Sequence, residues 1–185
     1  MKIKILVLIC SFMVLSIKVH GQGFAIGRGA TMITGLASFT STGYSSGSDH
    51  TSVLTITPSI NYFILDHFFI GGGFSYSNQS LNSGNITGLA IGPEIGYAFG
   101  KQDSKAFPYI NAGWNFQSTK FDQSFYGLTD NNGSGVCFGL GMIIPLRSHV
   151  GFVLEGKYNK LNYSELNESV DVISLNFGIV GLLFK

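Results

Sequence analysis

Charge is what this sequence has least of. Only 11% of its 185 residues are Asp, Glu, Lys or Arg, and the formal net charge is +1. An ordinary soluble domain carries about 25% charged residues. Sparse charge beside 45% hydrophobic residues excludes a disordered chain, and the missing basic face excludes a nucleic-acid-binding domain. Cysteine is scarce too, with Cys10 and Cys137 the two in the chain. Beyond residue 21 no apolar run approaches the roughly 20 residues of a membrane-spanning helix, and no stretch has a helical apolar period. What the chain has in excess is glycine, 25 residues, and aromatics, 14%.

Residues 1–21 read as a secretory leader. Lys2 and Lys4 form a basic head, Ile5 to Ile17 an apolar run, and Val19-His20-Gly21 a small-residue site with cleavage before Gln22. Thirteen apolar residues are too few to cross a bilayer as a helix. A lipid anchor on Cys10 is disfavoured by bulky Ile9 and by the short apolar stretch before it. Removing the leader takes Lys2, Lys4 and Lys18 from eleven basic residues and leaves eight against ten acidic ones, net −2. It also leaves Cys137 alone, so no internal disulfide can hold the exported chain together.

About eight segments of ten or so residues follow, each with a two-residue apolar period and bounded by Gly, Asn, Ser, Asp or Lys. In the clearest, Val136, Phe138, Leu140, Met142 and Ile144 share one face, and Gly135, Cys137, Gly139 and Gly141 the other. Residues 88–99 place Leu89, Ile91, Pro93, Ile95, Tyr97 and Phe99 opposite Gly88, Ala90, Gly92, Glu94, Gly96 and Ala98. Residues 52–62, 67–77, 106–118 and 150–161 repeat the design. The segment near 26–40 is blurred. The last, 172–184, starts on Ile173, Leu175, Phe177 and Ile179, then shifts phase toward Val180, Leu182 and Phe184, which suggests a bulge near Gly178 or Gly181.

The faces opposite the apolar ones carry Gly, Ala, Ser, Thr and Asn rather than Lys and Glu. Such groups make a poor solvent face but fit a narrow, partly wet interior. The bulky faces, ending in Tyr62, Tyr76, Tyr97 and Trp114, fit a lipid band with aromatic rims. Within the segments, the charges on the faces opposite the apolar ones are Arg28, Glu94, Glu155 and Lys157. Pro58, Pro93 and Pro108 fall on the outward face, where strand ends or bulges would accommodate them. Connections 41–50, 78–85, 118–134 and 162–171 are long and polar, while 63–66, 100–105 and 146–149 are short. Short periplasmic turns and long external loops produce that alternation. Strands in lipid must close into a ring to satisfy their backbones. The expected fold is therefore all-β, an eight-stranded antiparallel up-and-down transmembrane barrel over residues 22–185.

Gly29 to Phe39, Thr57-Pro58-Ser59-Ile60-Asn61-Tyr62-Phe63 with Asp66, and Gly92-Pro93-Glu94-Ile95-Gly96-Tyr97-Ala98-Phe99 resemble the small eight-stranded outer-membrane β-barrels of Gram-negative bacteria. That group includes the membrane domain of outer-membrane protein A and the outer membrane protein beta-barrel family frequent in Bacteroidota. The resemblance spans residues 24–185 and marks a fold, not an activity. It implies an outer-membrane location, lipid as the surrounding partner, and insertion by the barrel-assembly machinery, whose aromatic signal Phe184 resembles although Lys185 follows it.

Catalysis has little to stand on. Some small barrels of this kind are lipid A deacylases or acyltransferases that use a rim histidine with Ser and an acidic partner. Here His67 and His149 fall at short turns, and only His50, beside Asp49, sits in a long loop. No histidine pair or calcium-spaced Asp loop offers a metal site, and no cofactor motif is present. The Gly71-Gly72-Gly73 run precedes no helix and reads as close packing.

Two places can act. Glu94, Glu155, Lys157 and Arg28 point inward, and Lys157 is expected to pair with Glu94 or Glu155 as a polar plug or as a gate. Loop 118–134, with Phe121, Phe125 and Tyr126, is a candidate contact site for an extracellular partner. The expected function is a structural or surface-interaction barrel without enzymatic activity. A narrow ion or small-solute pore is the alternative. A soluble barrel binding a small apolar ligand is the third reading, and it requires bulky side chains inside.

Overall fold

The computed structural model describes residues 26–43, 50–81, 84–101, 104–121, 131–163 and 168–183. The leader expected over residues 1–21 lies outside them, as does Phe184. Eight strands form one closed antiparallel barrel in sequence order: β1 (Thr31–Gly43), β2 (His50–Phe63), β3 (Phe68–Leu81), β4 (Gly84–Ala98), β5 (Phe107–Phe121), β6 (Asn131–Arg147), β7 (Val150–Tyr163) and β8 (Glu168–Leu183). The first strand pairs with the last, so β1 starts and β8 ends at one rim, here called the terminal end.

Side-chain alternation sets which atoms meet which medium. Phe138 is 56% exposed on the outside and Leu140 67%, while Gly139 between them is buried. The outward apolar run covers Leu54–Tyr62 on β2, Phe68–Tyr76 on β3, Leu89–Tyr97 on β4, Pro108–Phe116 on β5 and Val136–Ile144 on β6, nine residues each. Nine to eleven residues per tilted strand is what a hydrocarbon core requires. A soluble barrel would hold those groups inside, so that reading fails.

The strands run well beyond this band. Past it the outward face turns polar, with Ser52, Asn78, Asn85, Thr87, Ser118, Lys120, Asn132 and Lys160. Much of what the composition suggested to be loop is therefore strand. Residues 78–85 are no long connection, because β3 and β4 pair up to Leu81 and Gly84 and leave two residues between them. At the terminal end, residues 99–106 join β4 to β5, so long and short connections do not strictly alternate. Continued pairing satisfies backbone amides and carbonyls along each paired edge, which a polar loop would leave to water.

The blurred first segment is regular: Ile33, Gly35, Ala37 and Phe39 face out, and Met32, Thr34, Leu36 and Ser38 face in. The phase shift expected in the last segment does not occur. Pairing of β8 with β7 and with β1 is continuous, without a bulge at Gly178 or Gly181. Val180 and Leu182 keep the inward parity and are 0% exposed. The register shift that does occur lies between Pro145 and Arg147. Pro58 and Pro93 sit in mid-strand. At each the register is kept on both sides, but the ladder to the following strand lapses, between Ile56↔Tyr76 and Ser59↔Gly73 and between Ile91↔Phe116 and Glu94↔Gly113. The missing proline donor is absorbed by a local break, not by a bulge. Pro108, at the second residue of β5, is accommodated near a strand end as expected.

The turn after β2 carries one strained residue. His67 has a φ of 68° and accepts a hydrogen bond from the Ala98 amide at 2.8 Å through its carbonyl. His67→Gly is expected to fold with unchanged or slightly higher stability. His67→Val is expected to cost about 1–3 kcal/mol, because a β-branched residue tolerates that region poorly. Urea titration in lipid vesicles reads both.

Candidate functional site in the barrel interior

Near the terminal end every strand sends apolar side chains inward: Met32, Phe63, Phe69, Ala98, Phe107, Ile143 and Val153 from β1 to β7, with Val180 and Leu182 from β8. All are 3% exposed or less, and Phe63 meets Phe69 edge-on with ring centroids 5.6 Å apart. Ile26 and Ala30, just before β1, are buried with them. These side chains form a dry floor across the barrel. The expectation of a small and hydrophilic interior holds in the layer directly above the floor and not at it, since bulky groups on both faces seal the lower end.

Above the floor lies a polar layer with two carboxylates. Glu155, 3% exposed, accepts hydrogen bonds through Oε2 from Tyr109 Oη at 2.8 Å and Asn111 Nδ2 at 3.0 Å, and through Oε1 from Asn176 Nδ2 at 3.5 Å. Glu94 accepts from Asn61 Nδ2 at 2.6 Å, and Asn61 also donates to Ser59, which bonds Thr34 at 2.6 Å. Buried charge persists only where polar partners replace water, and here neutral donors do so. The expected ion pair is not made: Lys157 faces the same interior but forms no hydrogen bond or ion pair with any described residue. Arg28 is not interior. It precedes β1, is exposed, and donates its backbone amide to Asp66 Oδ1 at 3.1 Å. The structure thus gathers Glu94, Glu155 and Lys157 in the lumen and leaves Arg28 at the rim.

The carboxylate partners Tyr109, Asn61, Asn111 and Asn176 are what sequence reading missed. Their signal lay in register. Three of the four stand beside a glycine on the next strand: Tyr109 by Gly141, Asn111 by Gly139 and Asn61 by Gly71. A Cβ at Gly141 would meet the Tyr109 ring, and one at Gly139 the Asn111 amide. Gly141→Ala is therefore expected to displace Tyr109 from Glu155 and destabilise the barrel by about 1–3 kcal/mol, the cost of unpartnered buried polar groups. Adding Tyr109→Ser should return part of the loss, so a double-mutant cycle in urea reads the coupling.

The polar layer is the base of a cavity of about 420 Å³. Thr55, Thr57, Ser75, Ser77, Asn115 and Gln117 make one side of its wall mostly polar; near β1 and β8 it is mixed, with Leu36, Val53, Leu161, Val170 and Val172 beside Ser38, Ser174 and Asn176. Val170 belongs to β8, where a polar loop was expected. Cys137 faces the interior and is buried, as a small filler between glycines. His67 and His149 stand at terminal-end turns, where His149 Nδ1 lies 3.1 Å from the Leu182 carbonyl oxygen. His50 starts β2 at the far end. Of the contact-loop residues, Phe121 ends β5, and Phe125 and Tyr126 lie outside the described residues.

Comparison with known proteins agrees with this architecture. A family model described as outer membrane protein beta-barrel domain matches residues 6–180. No curated protein sequence matches the chain. Among solved structures, the outer membrane protein OprG from Pseudomonas aeruginosa is similar at 14% identity and a TM-score of 0.60, over 87% of this chain and 99% of that one. The N-terminal barrel domain of OprF from the same bacterium is similar at 15% identity and a TM-score of 0.61, over 85% and 99%. Neisserial surface protein A follows at 17% identity and 0.57, over 84% and 97%. At such identities the likeness is one of fold.

Proposed function

Because this chain belongs to the outer membrane protein beta-barrel domain family, we infer that it is a surface-facing binding barrel of the Gram-negative outer membrane, exported by its leader, with neither conduction nor catalysis as its task. The terminal end, with both ends of the barrel segment, faces the periplasm, as an even strand number and cleavage of an N-terminal leader require. The far end, with its polar strand extensions, faces outside. One observation carries the reading: apolar side chains from all eight strands close the barrel below the cavity. The interior is then a blind cup, closed toward the periplasm, with Glu94, Glu155 and Lys157 at its base. A floor of buried Phe and Ile also weighs against the narrow pore, since ions crossing it would lose all hydration.

Planar-bilayer recording tests this. The purified barrel is expected to be electrically silent over the physiological voltage range. Steady single-channel steps from the wild-type protein would overturn the blind cup and restore the pore.

A further inference from the structure

The barrel wall is not sealed all the way up. Neighbouring strands elsewhere share ten to fourteen ladder pairs. Strands β1 and β8 share seven, from Thr31↔Leu183 to Ala37↔Phe177, and there the ladder stops. Both strands continue: β1 stays paired with β2 to Gly43, and β8 stays paired with β7 back to Glu168. Among the described residues, the β8 edge of residues 168–176 and the facing β1 edge of residues 38–43 therefore have no strand between them.

Depth makes this seam informative. Outward Leu175 and Ile173 on β8 and Phe39 on β1 belong to the apolar band, so the opening starts at membrane depth. Ile173 is 84% exposed, Leu175 65% and Phe39 64%. Open sheet edges facing acyl chains leave backbone groups unsatisfied and do not occur in the hydrocarbon region unless they line a wet cavity. Here they do line one. On the inner side of the seam stand Leu36, Val53, Leu161, Val170 and Val172, an apolar wall interrupted by Ser38 and Ser174.

We propose that the β1–β8 seam is a lateral port, through which a single-chain amphiphile moves between the cup and the outer leaflet. The tail lies along the apolar wall and leaves between Phe39 and Leu175. The head sits in the polar base, where Lys157 has no hydrogen-bond or ion-pair partner among the described residues and Glu94 and Glu155 are already held by Asn61, Tyr109 and Asn111. An anionic head of carboxylate type suits that site. The floor forces the sideways route, because nothing admitted from above can pass below. The port deepens the blind-cup reading, but its test is separate: conductance probes the floor, and the following measurements probe the wall.

Two variants carry the chain's single reporter tryptophan inside the barrel, Val172→Trp beside the seam and Gln117→Trp on the opposite wall, each with Trp114→Phe. In vesicles of brominated phosphatidylcholine, Val172→Trp is expected to be quenched and Gln117→Trp spared. Equal quenching, or none in either, would overturn the port. Heat-modifiable migration shows that each variant is folded, and Val170→Trp reports the same wall if Val172→Trp is not.

The ligand is probed with 11-(dansylamino)undecanoate delivered from vesicles. Uptake should be lost when Phe39→Cys and Leu175→Cys, in a Cys137→Ser background, are oxidised to a bridge across the seam, and should return on reduction. Lys157→Gln should weaken uptake and leave the quenching of Val172→Trp unchanged. Uptake indifferent to the bridge or to Lys157→Gln would overturn the proposal. So would a concentration-dependent dimer abolished by the bridge, which would assign the open edge to a strand from a second copy.

Discussion

Arginine in place of Leu140 is expected to destabilise the barrel by about 2–4 kcal/mol, the cost of a cationic side chain on the lipid face at mid-depth. Leu140 is 67% exposed. In a water-soluble protein a substitution at so open a surface position would usually move stability by no more than about 0.5 kcal/mol. The size of the effect thus reports the solvent rather than the packing. Asn132→Arg supplies the comparison, since Asn132 lies outward on the same strand but above the apolar band. That change should cost about 0–1 kcal/mol. Urea-driven folding into phosphatidylcholine vesicles, followed by Trp114 fluorescence, measures both. Equal costs at the two positions would refute a lipid boundary between them.

Removing the Phe63 side chain should cost about 3–5 kcal/mol, the usual loss for a buried aromatic truncated to alanine. Phe63 is 0% exposed and its ring rests on Phe69, so neighbours tied to a closed sheet cannot collapse into the void. The second consequence is functional. Phe63→Ala with Phe69→Ala removes two rings from the floor and should turn a silent barrel into a conducting one. The folded fraction is checked by heat-modifiable migration before recording. A folded double variant that stays silent would place the closure elsewhere.

How far the amino-acid order led can be seen at particular positions. The run from Gly135 to Ile144 already separates a lipid face from a lumen face, because successive side chains of a strand point oppositely whatever the strand pairs with. The same rule brought Glu94, Glu155 and Lys157 inside. It misled at Val180 and Leu182, which looked like a change of phase. Beside the dry floor the lumen is as apolar as lipid, so alternation of polarity vanishes while alternation of direction continues. It misled similarly near Met32 and Leu36, where bulky residues face in and Gly35 and Ala37 face out. Lys157 was expected to find a carboxylate because charges of both signs shared a face. Cross-strand register instead gave Glu155 to Tyr109 and Asn111 from β5 and to Asn176 from β8.

Strand number, the direction of each side chain and the membrane as solvent are thus local properties, fixed by a period of two along the chain. The floor, the carboxylate partners and the unzipped β1–β8 seam are not local. They depend on how far each strand is staggered against its neighbours when the sheet closes on itself, and that stagger brings together residues up to 152 positions apart, as Thr31 and Leu183 are.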